Sequence, residues 1–301
     1  MSEPDGGSEA SSDASSPPPG AEPSPAPRVP GEYLLGTDDV EIQRLAFQHR
    51  AWGAQAFSLW ERAGFRRGAT LLDLGCGPGF ATIDLAHLVG PGGRVVAADA
   101  SSRYLDHLRR ACDSQGLDWV TPVETDATRL DLGAAGQGEF LDGAYCRWML
   151  CYLEEPEAAI AGVARHLKPG GRFAVTDYLN YRAFSPFPAS DAFRKVVAAV
   201  SEEFRASGGD LEVGGRLPGL LRAAGLEPVD VRQQVRTTHP GSPLWAWPET
   251  FFSTFLPHLV RQGRVDEETA EAFWHDWHQR ADDPDAFLSL PPQIEVIAEK
   301  R

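Results

Sequence analysis

Positive charge is scarce in this chain: 28 Lys and Arg stand against 43 Asp and Glu in 301 residues, a formal net charge of −15. Such a balance repels phosphate backbones instead of gathering them, which argues against a nucleic-acid substrate. No run of Lys or Arg offsets it; Arg66-Arg67 and Arg109-Arg110 read as ordinary loop and helix-surface pairs. Cysteine is sparse as well. Cys76, Cys112, Cys146 and Cys151 lack the paired spacing of a metal site, so buried free thiols are expected, with neither disulfide nor metal. No apolar run approaches the ~20 residues of a membrane span, and the first residues lack a basic-then-apolar secretory pattern. A cytoplasmic protein without membrane insertion is the expectation. Ser-His-Asp and Cys-His constellations are missing too, which argues against a covalent nucleophile.

What remains is a chain with 42% hydrophobic residues, enough for one large α/β domain with extras. The stretch Leu71 to Thr82 organises it. Ala69-Thr70-Leu71-Leu72 reads as a buried strand that Asp73 closes, and Gly75-Cys76-Gly77-Pro78-Gly79 follows at once. From Phe80 apolar residues recur at helical spacing, so the glycines sit in a strand-to-helix turn where a ligand can approach bare backbone. A second strand, Arg94 to Ala98, ends in Asp99 with Ala100 after it, about twenty residues beyond the turn, where an acid can hold two ribose hydroxyls.

D-L-G-C-G-P-G followed by V-V-A-A-D resembles the class I S-adenosylmethionine-dependent methyltransferases, in particular the small-molecule subgroup that includes the ubiquinone and menaquinone biosynthesis enzymes. H-L-K-P-G-G-R-F, ending at Phe173, resembles the same family. The resemblance implies a Rossmann-like, seven-stranded, mostly parallel sheet with helices on both faces. Its last strand enters antiparallel between the fifth and sixth. It also implies S-adenosylmethionine as cofactor, S-adenosylhomocysteine as product, and direct methyl displacement. Cofactor contacts are expected from Asp73, Gly75, Cys76, Gly77, Pro78, Gly79, Asp99 and Ala100.

Ahead of this unit, residues 1–30 are Ser/Pro/acidic, hold eight of the 24 prolines, and are expected to be a disordered leader to a domain over 31–301. Residues 31–68 are expected to form lid helices, with Asp38-Asp39 as a cap. The pattern Y-x-L-G … E-x-x-R-L-x-x-Q resembles the leader of the subgroup, which implies that Tyr33, Arg44 and Gln48 meet the methionine end of the cofactor. Arg44 also reads as a solvated helix residue. A helix over Ser102 to Gln115 comes next, then a third strand, Val120 to Thr125. That strand ends in Asp126-Ala127, an acid and a backbone N–H suited to the adenine amine and a ring nitrogen. The fourth strand, Phe140 to Cys146, leads into Arg147-Trp148-Met149-Leu150. By the resemblance this position covers the adenosine or faces substrate, so Arg147 is a cofactor candidate and Trp148 a stacking one.

A helix over Ala158 to Leu167 and a fifth strand, Arg172 to Thr176, put Asp177 and Tyr178 at the ligand-binding end of the sheet. Helices over Asp191 to Arg205 and Leu217 to Ala224 precede a sixth strand, Glu227 to Thr238. The seventh is Ile294 to Ala298. Between the last two, residues 239–292 form an insertion: one helix opened by Pro248 and a second after Asp266. Its aromatic residues, Trp245 and Trp247 among them, read mainly as core and secondarily as a substrate lid or a cation–π cage. His239, His258, Asp177 and Tyr178 are candidate bases for a nucleophile that carries a proton. The substrate expected is a small, apolar or aromatic metabolite methylated at O, N or C, by a monomer or homodimer. A cofactor-binding regulator that transfers nothing is the rival, and an NAD-dependent oxidoreductase is disfavoured by G-x-G-x-G and Asp73.

Overall fold

A computed structural model describes residues 35–136 and 140–301; the expected leader and Tyr33 lie outside them. Helix α1 (Asp39–Ala63) precedes a strand–helix series: β1 (Thr70–Leu74), α2 (Phe80–Val89), β2 (Arg94–Asp99), α3 (Ser102–Gln115), β3 (Val120–Glu124), β4 (Leu141–Arg147), α4 (Pro156–His166) and β5 (Leu167–Tyr178). Then come β6 (Ser185–Phe187), α5 (Asp191–Ala206), α6 (Leu217–Ala223), β7 (Leu226–Gln234) and β8 (Thr237–Thr238). Helices α7 (Pro243–Arg261) and α8 (Glu267–Ala281), strand β9 (Phe287–Ser289) and strand β10 (Gln293–Lys300) complete the chain.

The sheet order is β3-β2-β1-β4-β5-β10-β7, parallel from β3 to β5, with β10 antiparallel between β5 and β7 as expected. Strands β1 and β2 read as continuous apolar runs because both of their faces are covered. Leu71 points into one buried cluster, with Leu59, Trp60, Leu85 and Leu105 of α1, α2 and α3; Leu72 and Leu74 point into the other, with Ile160, Val196 and Leu259 of α4, α5 and α7. That alternation is the strand period of two, and it fixes which helices lie on which face.

Local signals set the helix ends. The Asp38 carboxylate accepts from Glu41 N at 2.8 Å and starts α1, and Gly64, in the left-handed region at φ 75°, stops it. The Ser101 hydroxyl caps α3, Ser190 caps α5 and Asp266 caps α8. One boundary moves: α7 opens at Pro243, not Pro248. Ser242 caps it and Pro243 supplies the preset φ, while Pro248 and Pro257 lie inside the helix at the expense of a backbone bond each. The sixth strand also breaks short of Thr238. It leaves the main sheet after Gln234, and Thr237–Thr238 join β9 in a separate sheet of order β6-β9-β8. Pairings of two or three residues are too short for any alternation to show in the sequence. The fifth strand begins at Leu167, earlier than the expected Arg172.

The insertion is part of the core. Phe252 of α7 is fully buried among Phe193 of α5 (centroids 5.7 Å apart), Phe184 (6.0 Å) and Phe273 of α8 (4.8 Å). Trp245 packs on Trp277 at 5.2 Å within the same helix pair.

At the end of β5, Asp177 is fully buried and accepts from the backbone N–H of Tyr178 (2.9 Å) and of Cys151 (3.2 Å). It thereby ties β5 to the turn after β4. Burial pushes its carboxyl from 3.8 up to about 7, against the lowering effect of those N–H groups. The folded protein therefore holds this proton more tightly than the unfolded chain. The contribution to stability is complete below the unfolded pKa and is lost as pH rises from about 4 to about 7, by at most ~4 kcal/mol. Denaturant unfolding of wild type and Asp177→Asn across pH 4–8 reads this: the difference should move in favour of the variant as pH rises. Parallel profiles would contradict it.

Candidate active site

The glycine turn after β1 divides its labour. A Cβ on Gly75 would lie 2.4 Å from Met149 Cγ, and one on Gly79 2.4 Å from Leu108 Cδ1, so these two are glycines for internal packing. Gly77, at φ 55°, faces open space, with nothing within 4 Å of a Cβ placed there. That is the bare backbone a ligand can approach. The turn is held to the next strand by Asp99, whose Oδ2 accepts from Gly77 N at 2.8 Å and whose Oδ1 accepts from Ser101 N at 2.9 Å. Burial raises the Asp99 carboxyl, and the N–H groups of Ser101, Gly77 and Ala100 counter it. Each carboxylate oxygen keeps a lone pair for a further donor. Gly75 N and Cys76 N both reach Ala98 O, at 2.8 and 3.1 Å, and Pro78 O takes a hydrogen bond from His107 Nδ1 at 3.0 Å.

Below this floor Asp73 is buried and accepts from Thr82 Oγ1 at 2.6 Å; desolvation pushes its carboxyl up to about 6. The Cys76 thiol is pushed well up by burial and stays neutral, so it is no nucleophile. Ala100 is exposed at the rim. Beside Asp99, the backbone of Thr125 donates to Asp99 O at 3.0 Å, which brings the β3 end to the β2 end. There Asp126 is exposed and caps the turn that begins at Ala127, its Oδ1 accepting from Thr128 N and Oγ1, each at 2.8 Å.

The β4 end carries the other wall. Trp148 has φ 49°, a left-handed backbone that a bulky residue adopts only when its surroundings hold it there, as a hydrogen bond to Thr176 O and close ring packing do. Its indole stacks on Tyr178 (6.0 Å) and Trp247 (5.8 Å) and meets the edge of Trp52 at 5.5 Å. Arg147 lies 5.1 Å over the Trp148 ring. Its Nη2 donates to His49 Nδ1 at 2.9 Å, and His49 Nε2 faces Asp84 Oδ2 at 2.8 Å, a chain that joins β4, α1 and α2. Arg147 Nη1 is buried without a partner among the described residues.

Arg44 is buried, not solvated. It forms a two-pronged pair with Glu41 (2.7 and 2.6 Å) and reaches Gln48 Oε1 at 3.2 Å. The same Gln48 oxygen accepts from Trp247 Nε1 at 2.9 Å, so the N-terminal helix is clasped to the insertion. The sequence-based candidates separate accordingly. Trp247 and Tyr178 join Trp148 at the carboxyl end of the sheet, whereas Trp245 belongs to the α7–α8 packing.

The base candidates fare poorly. His258 is bonded to Glu203 at 2.9 Å between α7 and α5, and His239 is exposed with its ring on Pro240 O at 3.0 Å. Asp177 is fully buried with a backbone N–H on each carboxylate oxygen, and burial keeps the Tyr178 phenol well above its usual range. His49, Asp84 and Trp52 were missed as site residues by sequence reasoning. His49 stands next to Gln48, but its partners lie 35 and 98 residues away, a separation that leaves no local pattern.

Open glycine backbone, a part-satisfied carboxylate beside it, and an unpartnered buried guanidinium nitrogen at the end of the neighbouring strand β4 suit a nucleoside that carries an acidic tail, and so fit S-adenosylmethionine. A family model described as a methyltransferase domain matches residues 71–171. The ubiquinone/menaquinone biosynthesis C-methyltransferase UbiE of Stutzerimonas stutzeri is 30% identical over 194 residues, 60% of this chain and 73% of that protein. With other proteins of that name the match spans about half of their length. Methyltransferase GfsG of Streptomyces halstedii is 29% identical over 72% of both chains. Geranyl diphosphate C-methyltransferase from Streptomyces coelicolor shares the fold, with a TM-score of 0.52 and 18% identity over 87% of this chain and 85% of that one.

The chain belongs to the class I S-adenosylmethionine-dependent methyltransferases. It is an enzyme of that family acting on small molecules, and S-adenosylmethionine is its cofactor.

The two kinds of glycine can be told apart by experiment. Gly77→Ala should lose about 1–2 kcal/mol from left-handed strain alone, yet lose most of its affinity for S-adenosylhomocysteine. Gly75→Ala should lose more stability, because Met149 must move as well. Denaturant unfolding and calorimetric titration on both variants check this. Undiminished affinity in Gly77→Ala would remove the proposed floor of the site.

Proposed function

We propose that this enzyme methylates a small apolar or aromatic metabolite at O, N or C, and that the cofactor lies across the glycine turn with its methionine end toward Arg147. The reading is carried by the buried, unpartnered Arg147 Nη1 at the end of β4, the strand paired with the β1 that leads into the open Gly77 turn. A carbon acceptor is favoured because the Stutzerimonas relative is a C-methyltransferase.

Asp99 has acceptor capacity for the ribose hydroxyls; Asp126 can accept from the adenine amine while the Ala127 N–H donates to a ring nitrogen. Arg147 offers its free nitrogen to the methionine carboxylate, with Arg44 and Gln48 behind it; Tyr33 is proposed there on family resemblance alone. When bound, the cofactor supplies an electrophilic methyl group for direct displacement. The chain itself aligns the reactants and excludes water, work that can be worth roughly 7–11 kcal/mol. Trp148, Tyr178 and Trp247 wall the space in which sulfonium charge disappears, where low polarity favours the reaction. The Gln48–Trp247 bond keeps α1 and α7 closed over it. His49 and Asp84 orient the Arg147 guanidinium.

A ligand pair isolates the Arg147 contact. S-Adenosylhomocysteine carries the amino acid tail and 5′-methylthioadenosine lacks it. Wild type should prefer the first by about 10- to 100-fold, the range of a charged hydrogen bond worth roughly 1.5–3 kcal/mol, and Arg147→Met should bind the two nearly alike. A preference retained in the variant would move the carboxylate elsewhere.

A further inference from the structure

Many arginines of this acidic chain are paired with acids, as Arg62 is with Asp230 and Glu295, Arg172 with Glu299, and Arg264 with Glu203. Arg236 differs. Among the described residues its guanidinium makes no ion pair or hydrogen bond, and its Nη1 is buried without a partner. It rests 5.1 Å over the Trp52 ring. On the neighbouring strands Glu295 Oε2 takes bonds from Arg62 and Gln234, and Asp230 takes bonds from Arg62 and Arg232; Glu295 Oε1 is buried without a partner among the described residues and makes no ion pair with Arg236.

Its place in the fold gives that nitrogen a use. Arg236 lies just past β7, where its carbonyl accepts from Leu290 N at 2.9 Å. Gln234, two residues earlier, is in register with Gln293 of β10, and Gln293 with Tyr178 of β5. Arg236 therefore stands at the ligand-binding end of the sheet. Trp52, beneath it, touches Trp148 (5.5 Å) and Trp247 (5.0 Å). Two guanidinium groups thus flank one aromatic cluster, Arg147 over Trp148 and Arg236 over Trp52. An amine cage is a poor match, because the ring faces already meet cations and a third would be repelled.

On the reading that Arg147 is taken by the cofactor, we propose that Arg236 is a specificity residue that receives an oxyanion of the substrate. The substrate class is then an apolar or aromatic frame bearing a carboxylate or phosphate. The guanidinium fork suits either group, and a ligand oxygen would satisfy the buried nitrogen.

The test uses four naphthalene probes of one shape: 2-naphthoate, 2-naphthyl phosphate, 2-naphthalenemethanol and 2-naphthylmethylammonium. Each is titrated calorimetrically into the full chain, with and without S-adenosylhomocysteine. At least one anion should bind the wild type about ten-fold or more tighter than the alcohol, and the ammonium should bind most weakly. Which anion is stronger separates carboxylate from phosphate. Arg236→Met should erase the preference and Arg236→Lys should keep part of it, with affinity for S-adenosylhomocysteine unchanged in both. The proposal is overturned if the alcohol or the ammonium matches the anions, if no probe binds, or if the preference survives in Arg236→Met. Failure of S-adenosylhomocysteine to bind, with the anion preference intact, would sink the Arg147 reading and leave this one standing.

Discussion

The Asp99 carboxylate, accepting from Gly77 N at 2.8 Å, fixes the glycine turn together with the bonds from Gly75 N and Cys76 N to Ala98 O. It joins the turn after β1 to the tip of β2 and holds the bare face of Gly77 outward, while Met149 and Leu108 fill the space behind Gly75 and Gly79. A free glycine loop would pay a large ordering cost on each binding event. Here the carboxylate meets that cost in folding. Asp99 is itself half-buried, and its carboxyl, pushed up by desolvation, is tolerated because backbone N–H groups surround it.

Charge distribution carries the rest of the chemistry. With a net charge of −15 the surface repels anions, yet the ligand-binding end collects Arg147 and Arg236 against indole faces. In a low-polarity setting the unpartnered Nη1 nitrogens of these two groups interact strongly with an incoming oxyanion. The Trp148 backbone, held at positive φ, sets the ring that Arg147 covers, so the strain at the β4 end serves the same site.

Much of this was legible in the sequence. The turn D-L-G-C-G-P-G, the acids at the ends of β2 and β3, and the antiparallel last strand all follow from strand–turn–helix punctuation and a family pattern. Trp247 was legible as a substrate candidate, though not separable from Trp245, since both fall on the same helix. What escaped is what needs distance. The chain from His49 through Arg147 spans three elements, and Arg236 sits in a two-residue gap between β7 and β8 that reads as continuous strand. Arg44 was open to two readings, a contact to the methionine end by family resemblance and a solvated helix residue. Its burial follows from the pair with Glu41 and the clasp through Gln48, which brings α7 over α1. Ser242-Pro243, a cap followed by a helix-opening proline, was the legible start of α7, and the later Pro248 hid it.

The most direct measurement is calorimetric titration of the full chain with S-adenosylmethionine, S-adenosylhomocysteine and NAD, repeated on Asp99→Ala. The account predicts binding of the first two, weakened about ten-fold or more in the variant, and none of NAD. Binding of NAD alone, of no ligand, or of S-adenosylmethionine with equal affinity in wild type and Asp99→Ala would contradict it.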